Sequence, residues 1–308
     1  KMKKVKSILF ALSLLTCVSL AAQQDPMYTH YMYNMLSVNP AYAGSEKALH
    51  ITALHRSQWT GFKGAPLTQA VNMHAPLKEQ NIGLGLSLLN DRIGPVNFMT
   101  ANADFAYRMK MSSKATLALG LKAGVNIMQA NLMGLALTQS GDAAFEYNIK
   151  SKALPNFGFG AWFQGEKLIA GLSVPKLLEN DYKTNTITGG TDPGSEKRHY
   201  YLITGYTFTI SDAIDLKPTS YVKMTKGAPV EADLTTMFVY KKKFFAGAMF
   251  RTGDAAGLLI GMNITARIYA GYSYDWSFIN RTFTYNYGSH EVILVYKLKT
   301  KDSQASFN

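Results

Sequence analysis

The stretch Ala115-Thr116-Leu117-Ala118-Leu119-Gly120-Leu121-Lys122-Ala123-Gly124-Val125-Asn126-Ile127 decides the fold. Its odd positions are all apolar, whereas Thr116, Gly120, Lys122, Gly124 and Asn126 fall on the even ones. Successive side chains of an extended chain point to opposite faces, so this segment has one apolar and one polar face. Ordinary strands run to about five or six residues, while a tilted strand that crosses a bilayer needs about nine to eleven. This dyad is long enough to cross.

The same alternation returns along the chain. Val230, Ala232, Leu234 and Phe238 oppose Glu231, Asp233 and Thr235. Ala256, Leu258, Ile260, Met262 and Ile264 oppose Gly257, Gly261, Asn263 and Thr265, and Val292, Leu294, Tyr296 and Leu298 oppose Glu291 and Lys297. In total, fourteen strands are predicted, at 48–56, 67–75, 82–90, 96–110, 114–128, 154–164, 167–175, 198–210, 214–223, 230–240, 243–251, 256–265, 267–278 and 290–299. An even count of long strands with a polar second face predicts an all-β, antiparallel outer-membrane β-barrel, closed so that no strand edge meets lipid. A soluble β-sandwich is the competing reading of the pattern. Turn residues stand at Gly64-Ala65-Pro66, at 91–95, at 226–229 and at 252–254. The longest interruptions, 129–153 and 176–197, exceed what a hairpin needs and are candidate functional surfaces.

Only 17% of the residues are charged although 47% are hydrophobic, a balance that suits a membrane β-protein. Lys1, Lys3, Lys4 and Lys6 precede an apolar run and the small residues Ser19, Ala21 and Ala22, the layout of a secretory signal peptide. Cleavage is expected after Ala21 or Ala22, and loss of those four lysines takes the net charge from +12 to +8. Cys17 lies within this signal, so a mature chain has no disulfide. A lipoprotein acylated at Cys17 is the alternative, for which Thr16 is a poor match. The expected organisation is a signal at 1–22, an N-terminal segment at 23–47, a barrel at 48–300 and a tail at 301–308.

Aromatic residues at Tyr200, Tyr201, Tyr206, Phe208, Tyr269, Tyr272, Tyr274, Trp276 and Phe278 are expected to ring the membrane interface. Ahead of the first strand, Met27, Tyr28, His30, Tyr31, Met32, Tyr33, Met35 and Leu36 form a Met- and Tyr-rich segment. It either plugs the lumen or lies at the rim as a partner contact. In Asn39-Pro40-Ala41-Tyr42-Ala43-Gly44, proline holds the preceding residue extended and glycine permits a bend into the first strand. Arg56, Asp91, Arg92, Lys122, Glu231, Asp233, Arg267, Asp275 and Glu291 are candidates for an inward-facing charge network. Solvated lumen or loop charge is the plainer reading.

Catalytic, metal and nucleic-acid motifs are lacking. No His-x-x-x-His pair occurs among the six histidines, and His50 and His55 belong on opposite strand faces. The Gly83-Leu84-Gly85 run lies in a strand pattern with no following helix, and there is no phosphate loop or Gly-x-Ser-x-Gly elbow. A barrel phospholipase with a hidden Ser and His pair is the remaining enzyme reading. The densest basic cluster, Lys241-Lys242-Lys243, fits a turn beside anionic headgroups better than a nucleic-acid groove. No enzyme activity and no cofactor are expected.

The mature start resembles that of the PorP/SprF family of type IX secretion and gliding proteins, through Gln24-Asp25-Pro26 and Asn39-Pro40-Ala41-Tyr42-Ala43-Gly44. The likeness continues in order through Arg56-Ser57-Gln58-Trp59, Gly64-Ala65-Pro66, Asp91-Arg92-Ile93-Gly94, Pro155-Asn156-Phe157-Gly158, Gly271-Tyr272-Ser273-Tyr274-Asp275 and Gly288-Ser289-His290-Glu291. His55 departs from it, standing where the family pattern has a tyrosine. The resemblance implies a non-enzymatic outer-membrane barrel of the Bacteroidota. Its implied partners are a secreted protein with a type IX C-terminal sorting domain, such as a large surface adhesin, or periplasmic ring and motor components, besides outer-membrane lipid. A passive porin or hydrophobic-solute channel is the alternative function.

Overall fold

In the computed structural model, fifteen strand segments form one antiparallel sheet that closes on itself. They are β1 (Ala48–Ser57), β2 (Leu67–Pro76), β3 (Ile82–Ile93), β4 (Val96–Ser112), β5 (Ala115–Ala130), β6 (Ile149–Gln164), β7 (Leu168–Val174), β8 (His199–Tyr206), β9 (Phe208–Ser211), β10 (Ile214–Thr225), β11 (Glu231–Tyr240), β12 (Phe244–Arg251), β13 (Ala255–Asn263), β14 (Ile268–Ser277) and β15 (Ser289–Lys299). β8 and β9 are one strand interrupted at Thr207, both pairing with β10, so the barrel has the fourteen strands expected. Each strand pairs with the next, and β1 pairs with β15 to close the ring. The structure describes residues 25–46, 48–77, 81–134, 148–182, 195–278 and 285–299. The expected signal peptide with its cleavage site and the tail at 301–308 lie outside them.

The alternation read from the sequence sets the two faces. On β5, Leu119, Leu121 and Ala123 are exposed on the outer wall, while Ala118, Gly120, Lys122 and Asn126 point inward. The outer faces of β3, β11, β13 and β15 repeat this with Leu86, Leu88, Phe238, Ile260 and Leu294 exposed, an apolar band of the kind a bilayer solvates. The four longest connections, 58–66, 131–148, 175–198 and 278–288, fall at one end of the barrel, and the opposite end carries short turns.

Three expectations are corrected. Tyr201 and Tyr269 are buried on inward faces instead of ringing the outside, because each shares its parity with lumenal neighbours, Tyr201 with Ile203 and Tyr269 with Gly271. Tyr200, Tyr206, Phe208, Tyr272, Tyr274, Trp276 and Phe278 do face outward. The turn expected at 91–95 shrinks to Gly94-Pro95, since β3 runs to Ile93. The loop expected at 129–153 is shortened from both sides, with β5 reaching Ala130 and β6 starting at Ile149.

Ahead of β1, the chain makes a 3-10 turn at Tyr31–Tyr33, one α-turn at Met35–Val38 and a second 3-10 turn at Pro40–Tyr42. The last is capped by Asn39, whose Oδ1 accepts the Ala41 N–H at 3.0 Å, with proline in the first position, where its missing N–H costs nothing. Gly44 then turns the chain at φ +67, a conformation open chiefly to glycine. The bend into β1 is therefore as the sequence implied. Residues 28–43 do more than bend: Tyr28, Tyr31, Met35, Val38 and Ala41 share one apolar cluster with the inward-facing Leu54, Trp162, Tyr201, Ile203, Tyr221, Tyr269, Ile293 and Val295.

Candidate functional site

The N-terminal segment is held by polar groups from around the inner wall. A short helix leaves carbonyls without partners at its C-terminal end, and here Lys122 Nζ donates to the Leu36 carbonyl at 3.1 Å and Ser173 Oγ to that of Val38 at 2.7 Å. Asn39 Nδ2 donates to the Ala161 carbonyl at 3.0 Å, Asn72 bonds Asn34, and the Gly44 N–H donates to His74 Nδ1 at 3.2 Å. The Asn-Pro-Ala-Tyr-Ala-Gly motif lies against four glycines, Gly83, Gly120, Gly160 and Gly171. A Cβ on Gly160 would meet the Asn39 side chain, one on Gly120 the backbone of Pro40 and Ala41, and one on Gly83 the Ala43 carbonyl. Tyr42 completes the seat, packing edge-on against Trp162 and His74 at centroid distances of 5.1 and 5.2 Å.

The other aromatic residues of the segment form ladders with the wall. Tyr31 stacks on Tyr221 at 5.0 Å, and Tyr221 on Tyr201 at 5.5 Å; Tyr33 stacks on Tyr269 at 4.4 Å. Tyr31 OH hydrogen bonds Thr219 at 2.7 Å, and burial pushes its phenol up to about 12. Tyr28 is buried in the same cluster, and Met32 bridges it to Met237, Met249 and Leu259.

Charge concentrates toward the long-loop end. Arg56 Nη2 lies 2.7 Å from Asp275 Oδ2 and its Nη1 3.3 Å from Glu291 Oε2, all three side chains being buried. Thr29 and His30 close this group from the segment. The backbone N–H groups of Thr29 and His30 donate to Glu291 at 3.0 and 2.7 Å, His30 Nδ1 lies 2.9 Å from the same carboxylate, and Thr29 Oγ1 donates to Asp275 at 2.6 Å. Beside it Arg251 makes two 2.8 Å bonds to Asp233 and approaches Asp254 at 3.5 Å. Lys122 pairs with Asp104 at 3.0 Å and Glu231 stands 3.7 Å from Lys223. Asp91 accepts a 2.6 Å bond from Thr68. At the mouth, Asp25 meets Lys176 at 2.7 Å, His199 at 3.2 Å and the Tyr201 hydroxyl at 2.8 Å. Burial alone would raise the Asp25 carboxyl, but Lys176, then His199 and Tyr201, hold it well below the usual carboxylate range.

Of the nine charges read as a network, Arg92 and Arg267 stand apart. Arg92 is exposed because Asp91, its neighbour on the same strand, takes the inward face. Arg267 is exposed in the turn ahead of β14. Arg56, Asp275 and Glu291 come together; Asp233, Glu231 and Lys122 pair elsewhere on the inner wall. Thr29, Asp104, Lys176, His199, Lys223 and Arg251 were not singled out from the sequence, and Asp25 was quoted there only within the motif Gln24-Asp25-Pro26, not as a member of the network. Asp104 was within reach, since the exposed Phe105 and Tyr107 beside it on β4 fix its parity as inward. Asp25 and Thr29 lie outside any strand and carried no such signal.

Three of the motifs quoted for the family resemblance, 56–59, 271–275 and 288–291, meet at the β1–β15–β14 corner, whereas 39–44 lies against β3, β5 and β6. Tyr274 sits opposite His290 in the register and packs edge-on to it at 5.2 Å, both outward; Asp275 and Glu291 beside them face in. Gln58 N–H donates to the Pro66 carbonyl, starting the loop. Trp59, in a strained left-handed conformation at φ 50, donates from Nε1 to Ser277 Oγ at 3.3 Å. Thr60 N–H reaches the Gly288 carbonyl at 2.8 Å. A profile of the family described as type IX secretion system membrane protein PorP/SprF matches residues 20–296.

The chain belongs to the PorP/SprF family. Among solved structures, this PorP/SprF barrel is similar to the CymD monoaromatic hydrocarbon channel, with a TM-score of 0.52 and 10% identity over 87% of this chain and 93% of that one. It is also similar to the Acinetobacter baumannii outer membrane protein Omp33, with a TM-score of 0.47 and 9% identity over 82% and 99%. A Pseudomonas aeruginosa FadL homologue aligns with a TM-score of 0.45 and 10% identity over 84% and 92%. At such identities the likeness to CymD is one of fold. No curated protein matches the chain in sequence.

Proposed function

We propose that this PorP/SprF protein is a non-enzymatic outer-membrane component of type IX secretion that binds protein. It supports export or surface anchoring of a secreted adhesin-like partner or links the barrel to the periplasmic machinery, and its N-terminal segment plugs the lumen. The observation that carries this reading is the packing of residues 28–43 across the inner wall, pinned at one end by Thr29 and His30 on Glu291 and at the other by the glycine seat. A filled lumen leaves loops and rim as the working surfaces. The competing reading, a passive or hydrophobic-solute channel, needs an open path.

The decisive experiment pairs two measurements on the full protein. Affinity capture from native outer membranes should retain a large secreted protein or periplasmic ring components; capture of neither sinks the partner reading. In planar bilayers the intact protein should conduct little, and removal of residues 23–36 should open it. High conductance of the intact protein would instead establish the channel.

A further inference from the structure

The Lys241-Lys242-Lys243 turn between β11 and β12 carries a backbone its residues do not favour. Lys241 and Lys242 stand at φ 49 and 52, closed by a 2.9 Å bond from the Lys243 N–H to the Tyr240 carbonyl. Within this three-residue connection, the β-turn over Tyr240–Lys243 has both central residues left-handed, a conformation that prefers Asn-Gly or Asp-Gly and strains ordinary L-residues. Two lysines at the strained positions direct attention to what their side chains do.

Those side chains sit at the membrane edge. Tyr240 and Phe244 flank the turn and are exposed on the outer wall, as are Phe238, Met262 and Ile264 nearby. Lys241 Nζ lies 5.4 Å from the Tyr240 ring centroid and Lys243 Nζ 5.5 Å from that of Phe244, so both cations lean over aromatic rings at the limit of the apolar band. Asn263 Nδ2 donates to the Lys242 carbonyl at 2.7 Å, tying the turn to the end of β13. The exposed Arg267 occupies the next turn, two strand spacings or about 10 Å along the rim. The neighbouring turn on the other side holds Asp212, next to Ala213, whose carbonyl accepts the Lys241 N–H. Cations dominate this stretch.

We propose that Lys241, Lys242, Lys243 and Arg267 form a binding site for the phosphate of an anionic membrane phospholipid. The apolar wall reaches up to the lysines without a polar gap, which places an acyl chain against Phe238, Phe244 and Met262 and its headgroup at the turn. An acidic soluble protein would lack the first of these contacts.

The test exploits the strain. In the full-length Lys241→Asn/Lys242→Gly variant the turn receives its preferred residues, so the barrel should melt no lower than the unmodified protein. Lys241→Gln/Lys242→Gln removes the same charge and keeps the strained backbone. With phosphatidylglycerol or phosphatidylcholine supplied in detergent and bound lipid counted by native mass spectrometry, the unmodified protein should retain phosphatidylglycerol preferentially. Both variants should bind it roughly thirtyfold more weakly, as the loss of two surface cations implies, and inorganic phosphate should fail to displace it. Equal retention of the two lipids by the unmodified protein, or undiminished phosphatidylglycerol on either variant, overturns the site. So does loss of a captured acidic protein with lipid binding intact.

Discussion

Arg56 on the first strand and Glu291 on the last are register partners across the seam at which the barrel closes, with Arg56 Nη1 3.3 Å from Glu291 Oε2. The remaining acceptor capacity of Glu291 is taken by Thr29 and His30. One carboxylate thus joins both ends of the barrel to the segment inside it.

Glu291→Gln or Arg56→Ala should therefore destabilise the barrel by about 3–5 kcal/mol, the usual cost of breaking a buried ion pair from one side. The temperature of the folded-to-unfolded shift on gels reports it. A paired Arg56→Met/Glu291→Leu replacement still leaves Asp275, the nearer partner of Arg56 at 2.7 Å, without its cation, so it should be no milder than Glu291→Gln. Melting of the singles at the unmodified temperature would remove the network from the account.

Gly120→Val places a side chain where the backbone of Pro40 and Ala41 now lies. Overpacking of this kind costs about 1–3 kcal/mol, and the segment can leave while the strands cannot. The variant should stay a barrel, gain conductance and expose residues 25–46 to added protease. Ala123→Val on the outer face of the same strand should do neither.

Asn39 uses its side chain three times, accepting from Ala41 and donating to the carbonyls of Ala161 and Leu172. Asn39→Ala should weaken seating by about 1–3 kcal/mol. Asn39→Asp keeps the acceptor but turns a carboxylate toward carbonyl oxygens, so it should be the worse of the two. Rates of proteolysis within the segment rank them; the reverse order would contradict the seat as described.

The Asp25 carboxyl is held low by Lys176, His199 and Tyr201 against the effect of burial. A depressed carboxyl stabilises the folded form above its unfolded value, about 3.9, and the stabilisation is lost as pH falls through the folded value. Docking of the mouth end should thus be constant from neutral pH down to about 4–5 and loosen only in stronger acid. Asp25→Asn should loosen it at neutral pH and flatten the acid response. Protease sensitivity near residue 25, followed against pH, is the check.

Period-two reading reaches far in this chain because a barrel wall has only two sides. It places Lys122, Asp233 and Glu291 inward and Leu121, Phe238 and Leu294 outward without any knowledge of contacts. The same rule, applied strictly, forbids Asp91 and Arg92 from sharing the lumen. It also moves Tyr201 to the inside, where ring size alone suggested the interface. What alternation does not encode is the partner of each inward group. Thr29 and His30 reach Glu291, more than 260 residues away in the chain, through a segment with no strand period. Arg251, at the end of β12, owes its place to Asp233 on the neighbouring strand.

The seam has a bearing on how the molecule is made. The berth for Thr29 and His30 needs Arg56 from the first strand together with Asp275 and Glu291 from the last two, so it does not exist until the final hairpin has arrived. An unfinished barrel holds its leading segment by the contacts of the earlier strands, without the anchor at Thr29 and His30. Completion of the wall and capture of Thr29 and His30 go together, and a chain stalled short of closure carries an unanchored leading end as its mark of immaturity.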